Sequence, residues 1–243
     1  MKKKIILLFM LVVLYFLVSF VLNFIENQKK VVYIGVYTKI YIKNNKIEVK
    51  NKNDYIINKP VKVLLNDKYY DAYMNSNDAD LYNAYNFFDK KKNKIQFNND
   101  FIASTRNIYL KVENSSDYLY ENIKNYDFGD LDLDFIDENY KTTKKYVFDI
   151  DGNGKKEVIY VISGNISENK IKTYFILESN NKYSIFKSYV LNMDSPAVKD
   201  ISLYKFIDFN NDKKYEIVLR CNDGEDLPPH YDIYSYKNNK LEK

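Results

Sequence analysis

From residue 145 onward, short runs rich in apolar residues at 157–163, 172–178, 183–191, 201–208, 216–221 and 231–236 are separated by Asn, Asp, Gly or Pro. Apolar runs of this length bounded by turn residues are the mark of strands. The pattern predicts a C-terminal region that is nearly all β. Residues 31–75 predict hairpins. Residues 40–49 hold two alternating runs about Asn44-Asn45, and residues 61–70 repeat the arrangement about Asn66-Asp67. Asn tolerates the positive φ that such tight turns need. Residues 78–88 differ, because Leu81, Ala84, Tyr85 and Phe88 recur at helical spacing behind Ser76 and Asp78. That spacing predicts a short amphipathic helix. A second short helix is expected from Ser116, carrying Leu119, Tyr120 and Ile123, with 101–112 extended between the two.

The N-terminus follows another rule. Lys2, Lys3 and Lys4 precede residues 5–24, a run without charge in which only Ser19 and Asn23 are strongly polar. A helix of about 20 residues is about 30 Å long, enough for a bilayer core. The flank after it offers no small-residue cleavage site, so an uncleaved anchor through Ile5–Phe24 is expected, with a secreted form after cleavage as the alternative. The basic tip places the N-terminus in the cytoplasm and the bulk of the chain outside, in a single pass.

The expected fold is therefore mainly β with one or two short helices. A cytoplasmic tip and anchor (1–26) lead to a β-rich domain (27–140) and then to two repeats (141–243). Composition agrees: 46% of residues are hydrophobic and 16% aromatic, with 25 Tyr and no Trp, enough for a real core and biased to strands. Net charge is +4, of which Lys2–Lys4 supply three, and in the remainder Lys and Asp/Glu are interspersed. No basic patch is left to grip a phosphate backbone, so nucleic acid is not an expected partner. The single cysteine, Cys221, excludes an intrachain disulfide, and its place at the end of an apolar run suits a half-buried structural role.

Two acidic loops about sixty residues apart carry the most information. The first reads Asp149-Ile-Asp151-Gly-Asn153-Gly-Lys155-Lys-Glu157 before Val158-Ile159-Tyr160. The second reads Asp208-Phe-Asn210-Asn-Asp212-Lys-Lys214-Tyr-Glu216 before Ile217-Val218-Leu219. Oxygen side chains at positions 1, 3, 5 and 9 can wrap one hard cation, which takes about six to eight oxygen ligands. The flanks match as well. Phe175-Ile-Leu-Glu-Ser-Asn180-Asn181-Lys182 aligns with Ile233-Tyr-Ser-Tyr-Lys-Asn238-Asn239-Lys240, so loop, strand and Asn-Asn turn recur in one order. The alternative is a pair of plain Asp/Asn turns. An EF-hand is excluded, because its position 12 needs Glu and these loops have Tyr160 and Leu219 there.

The Asp-x-Asp-Gly-Asn-Gly-x-x-Glu-apolar pattern resembles the calcium loops of FG-GAP and VCBS-type repeats, found in integrin-like β-propellers and bacterial surface proteins. The resemblance covers the last ~100 residues or so. It implies that the loop joins two antiparallel strands and holds a structural Ca2+. The implied side-chain ligands are Asp149, Asp151, Asn153 and Glu157 with the carbonyl of Lys155, then Asp208, Asn210, Asp212 and Glu216 with the carbonyl of Lys214. The second loop departs from the pattern at Lys213, where the first has Gly154, which points to a tighter turn and a weaker site. Two copies fall short of the four blades a closed propeller needs, so a partial propeller-like sheet or a β-sandwich stays open.

Little else points to chemistry. Asp130, Asp132 and Asp134 alternate with Leu131, Leu133 and Phe135, which predicts a strand with three carboxylates on one face. The only histidine, His230, with a single separate cysteine makes a poor case for a catalytic triad or a zinc site, and there is neither a phosphate-cradling Gly loop nor a nucleophile elbow. No catalytic residue is assigned. The expected function is a membrane-anchored extracytoplasmic binding or structural module whose partner is a protein or envelope polymer. The alternative is an envelope hydrolase using carboxylates of the Asp127–Asp137 segment.

Overall fold

The computed structural model describes residues 10–19, 21, 30–35, 38–44, 46–51, 58–65, 68–76, 85–95, 101–105, 108, 110–114, 118–119, 128–129, 131–135, 141–194, 200–222, 224 and 229–243. Residues 10–19 are helical, and Met10 through Val18 are exposed. Among the described residues no helix is long and apolar enough to cross a membrane, and most of the rest of the 5–24 segment lies outside them.

The protein is mainly β. An eight-stranded antiparallel sheet is built from β1 (Lys30–Ile34), β2 (Thr38–Lys43), β3 (Lys46–Asn51), β4 (Lys59–Leu65), β5 (Lys68–Ser76), β6 (Tyr85–Phe88), β7 (Lys94–Ile95) and β8 (Ile102–Thr105), in the order β3-β2-β1-β8-β4-β5-β6-β7. Both expected hairpins form. Lys43 pairs with Lys46 around Asn44, whose φ is +50°, and Leu65 pairs with Lys68. One face of this sheet gathers Val31, Tyr33, Val63, Met74, Phe87 and Ala103 into a core of its own.

Both expected helices need correction. Tyr85–Phe88 is strand β6, with Tyr85 and Phe87 buried and paired to Ser76 and Met74 of β5. A period-two Tyr/Phe pair beside an open strand edge outweighs a helical spacing that one turn cannot sustain alone; residues 77–84 lie outside the description. Of the second helix, Tyr118–Leu119 is instead strand β10, while β9 (Lys111–Asn114) precedes it. β10 takes up the edge ladder of the next strand, with Tyr118 opposite Tyr146. The remainder of that expected helix, with Tyr120 and Ile123, is not described.

The C-terminal half contains the repeat. β11 (Lys141–Phe148), β12 (Glu157–Ser167), β13 (Lys170–Ser179) and β14 (Lys182–Asn192) form one antiparallel meander; β15 (Asp200–Asp208), β16 (Glu216–Asn222), β17 (His230–Lys237) and β18 (Lys240–Glu242) form the second. β10 extends the first sheet beside β11, and β9 extends the second beside β15, so the two five-stranded sheets have the same order. The expected runs from 157 to 236 correspond to β12 through β17.

Side-chain parity shows how the sheets stack. Ile159, Val161, Phe175 and Leu177 of the first repeat meet Ile217, Leu219, Cys221 and Tyr234 of the second. The opposite face of the second repeat, with Val218, Tyr231 and Ile233, meets Val32, Ile34, Ile40 and Ile42 of the eight-stranded sheet. Ile217 corresponds to Val158, which points away from the shared core, so the repeats pack head to tail and not face to face. Their Asn-Asn turns also touch, with Asn180 Nδ2 donating to Asn239 Oδ1 at 3.1 Å. Among the described residues the sheets do not close into a ring.

The outward face of the first repeat is covered by the segment around 128–135. Phe128, Leu131, Leu133 and Phe135 pack on Tyr160, Ile162, Tyr174 and Ile176. This cap corrects the expected Asp-rich strand. The alternation is real, with Asp132 and Asp134 exposed, but residues 131–135 form no ladder. Here the apolar side chains, packing on a sheet face, set the path, and the Phe135 N–H donates to the Leu133 carbonyl at 2.8 Å. Asp130 is outside the described residues.

Candidate metal loops

Each acidic loop joins a repeat's first strand to its second, and the two loops are held by the same hydrogen bonds. In the first, Asp149 accepts from the N–H groups of Asn153 (3.1 Å) and Gly154 (2.9 Å). Asp151 Oδ1 accepts from Asn153 N (3.2 Å), Asn153 Oδ1 from Lys155 N (2.7 Å), and Glu157 Oε2 from Ile150 N (2.9 Å). In the second, Asp208 accepts from Asp212 N (3.2 Å) and Lys213 N (3.0 Å). Asn210 Oδ1 accepts from Asp212 N (3.1 Å), Asp212 Oδ1 from Lys214 N (2.9 Å), and Glu216 Oε2 from Phe209 N at a longer 3.4 Å. Positions 1, 3, 5 and 9 are thus oriented by backbone N–H groups in both, which is how a short acidic chain is wound into a concave oxygen-lined turn.

The winding requires left-handed backbone at positions 4 and 6. Gly152 and Gly154 adopt φ of +69° and +85°, and Asn211 and Lys213 adopt +63° and +69°. Lys213 therefore does not tighten the second turn; it follows the path of Gly154 and carries the strain of a side chain in that region. The loops also touch. Tyr215 N donates to the Ile150 carbonyl at 2.7 Å, and a Cβ on Gly152 would lie 2.3 Å from the Lys213 carbonyl oxygen.

The charge in these loops is crowded and partly buried. Asp208, Glu216 and Glu157 are nearly inaccessible. Burial raises the Glu216 carboxyl to about 8, with Asp212 and Asp208 adding to the rise. Glu157 is raised too, by burial first and then by Asp151 and Asp149. Carboxylate oxygens of Asp149, Asp151 and Glu157 lie within 4.8 Å of one another. An all-oxygen donor set with negative charge converging on a buried glutamate fits a hard divalent cation, whose charge would reverse the rise. Those residues, with their counterparts in the second loop, would hold it.

Two further groupings emerge. Asp134 receives Lys172 Nζ at 2.8 Å and the Tyr174 hydroxyl, and these bonds hold its carboxyl below the usual range. At the far end of the second repeat, Cys221, His230 and Asp232 each bring a ligand atom within 4.8 Å of the other two. Sequence reading discounted His230 with the single cysteine because the set depends on register: Cys221 lies one residue before the end of β16, directly opposite His230 at the start of β17. The only signal was two apolar runs flanking residues 222–229.

No protein-family model, curated protein or solved structure matches this chain.

Proposed function

We propose that the chain is a membrane-anchored extracytoplasmic binding or structural module whose paired C-terminal repeats, of the FG-GAP/VCBS type, are stiffened by Ca2+ at the two acidic loops. The observation that carries it is the recurrence of one hydrogen-bond skeleton in both loops, each closed by a buried glutamate of raised pKa. Calcium would supply the positive charge those carboxylates lack, at Asp149, Asp151, Asn153, Glu157 and the Lys155 carbonyl, and at Asp208, Asn210, Asp212, Glu216 and the Lys214 carbonyl. Its work is structural, because the loops bind adjacent sheets through Ile150–Tyr215 and Gly152–Lys213. The anchor reading rests on the uncharged 5–24 run and on the exposed apolar side chains of residues 10–18, which favour a lipid environment. The hydrolase alternative has less behind it. A general acid needs a raised pKa, and Asp134 is lowered.

The test is thermal unfolding of the full chain in detergent micelles, in EDTA and in calcium. Extracellular calcium sites have a Kd of roughly 10⁻⁴–10⁻³ M. At tenfold saturation each site adds about 1.4 kcal/mol, a rise of roughly 3–6 °C in Tm. An unchanged Tm would reduce both loops to ordinary turns.

A further inference from the structure

We propose that Cys221, His230 and Asp232 form a binding site for a transition-metal dication of the zinc type, at the rim of the interface between the repeats. The antiparallel pairing sets Cys221 opposite His230 and Leu219 opposite Asp232. Period two puts all three side chains on the face that meets the first repeat, the face of Ile217 and Tyr234. Their ligand atoms fall within 4.8 Å of each other, and His230 Nε2 is 3.9 Å from Asp232 Oδ1. Bond lengths of about 2.0–2.3 Å put tetrahedral zinc ligands about 3.3–3.7 Å apart, so an inward shift of the three side chains completes three corners of a tetrahedron. One sulfur, one imidazole nitrogen and one carboxylate oxygen suit zinc or cobalt and not a hard cation. The site is thus chemically separate from the acidic loops.

Asp232 is built to serve it. Its carboxylate is 1% exposed, and Lys187 of the first repeat holds Oδ2 at 2.9 Å. Oδ1 pairs with Lys243 Nζ at 2.6 Å. The Lys243 side chain is 62% exposed, so it can yield Oδ1 to a metal by turning into water, while Lys187 continues to orient the carboxylate. A nucleophilic role for the same three residues is disfavoured by access, because Cys221 is only 2% exposed and a substrate cannot reach its thiol.

The chain's single cysteine and single histidine make the test unambiguous. The reduced full chain is titrated with Co2+ in excess calcium, which competes with cobalt for the all-oxygen acidic loops but not for a thiolate-containing site. One cobalt per chain is expected, with a thiolate-to-cobalt charge-transfer band and tetrahedral ligand-field bands that zinc displaces. Cys221→Ser should abolish the charge-transfer band, and His230→Gln should weaken cobalt binding by about tenfold or more. Folded wild-type protein without the band, a band that survives Cys221→Ser, or unchanged affinity in His230→Gln overturns the proposal.

Discussion

The first loop carries glycine at both left-handed positions, while the second carries Asn211 and Lys213, yet the backbone hydrogen bonds of the two match one for one. The carboxylates and Asn side chains therefore set the turn, and glycine is demanded only by neighbours. Head-to-tail stacking explains where. Gly152 faces the second loop at van der Waals limits, whereas its counterpart Asn211 opens onto a cavity of about 370 Å³ beside Ile108 and Lys111. The same position in two equivalent loops thus meets a backbone carbonyl in one and open space in the other. A side chain fits only in the second.

The largest effect that follows is at Gly152. Gly152→Ala combines a left-handed strain of about 1–2 kcal/mol with overpacking of about 1–3 kcal/mol, so a loss of roughly 2–5 kcal/mol is expected in urea unfolding. Gly154→Ala, with nothing within 4 Å, should cost only the strain. Equal losses at the two glycines would remove the stacking argument.

Next in size is the pH response of the second loop in EDTA. The Glu216 carboxyl has a pKa of about 8 in the folded protein against a reference value of 4.5. Between those values the folded chain keeps a proton that the unfolded chain has lost, so stability should fall as pH rises through the window. Glu216→Gln should flatten that slope, with a gain of a few kcal/mol at most near pH 8. Calcium should also flatten it in the wild type. A slope that persists in Glu216→Gln would assign it to other groups.

Smaller still, Lys213→Gly relieves strain without removing a ligand and should stabilise the chain by about 1 kcal/mol, visible as a Tm rise of roughly 2–4 °C. The smallest effect is at Asp134, an exposed acceptor for Lys172, where Asp134→Asn should cost no more than about 1 kcal/mol. Because its pKa is lowered, that contribution holds at neutral pH and disappears in acid, below the ordinary aspartate range. A difference between variant and wild type that persists in acid would assign the effect to something other than the ion pair.

What was legible in the sequence depended on how local its cause was. The β12–β17 runs are apolar stretches of strand length between turn residues, and each acidic loop's hydrogen-bonding side chains lie within nine residues, so both could be read directly. The β6 and β10 segments were misread because a strand edge supplied by β5 or β11 decided them, and no local pattern contains that edge. Asp132 and Asp134 were placed outward correctly, but the carrier is a cap on Tyr160 and Tyr174 and not a ladder strand. The Cys221–His230–Asp232 cluster needed register across a hairpin, and the contact of Gly152 with Lys213 needed the stacking of whole sheets. Neither leaves a mark in spacing.

The most direct measurement is the number of calcium ions bound per chain, by isothermal titration of full-length wild type and two loop variants in micelles. Two calcium ions are expected for the wild type, one for Asp149→Ala with Asp151→Ala, and one for Asp208→Ala with Asp212→Ala. Binding of no calcium at millimolar concentration, or a stoichiometry that neither variant changes, would contradict the paired-loop account.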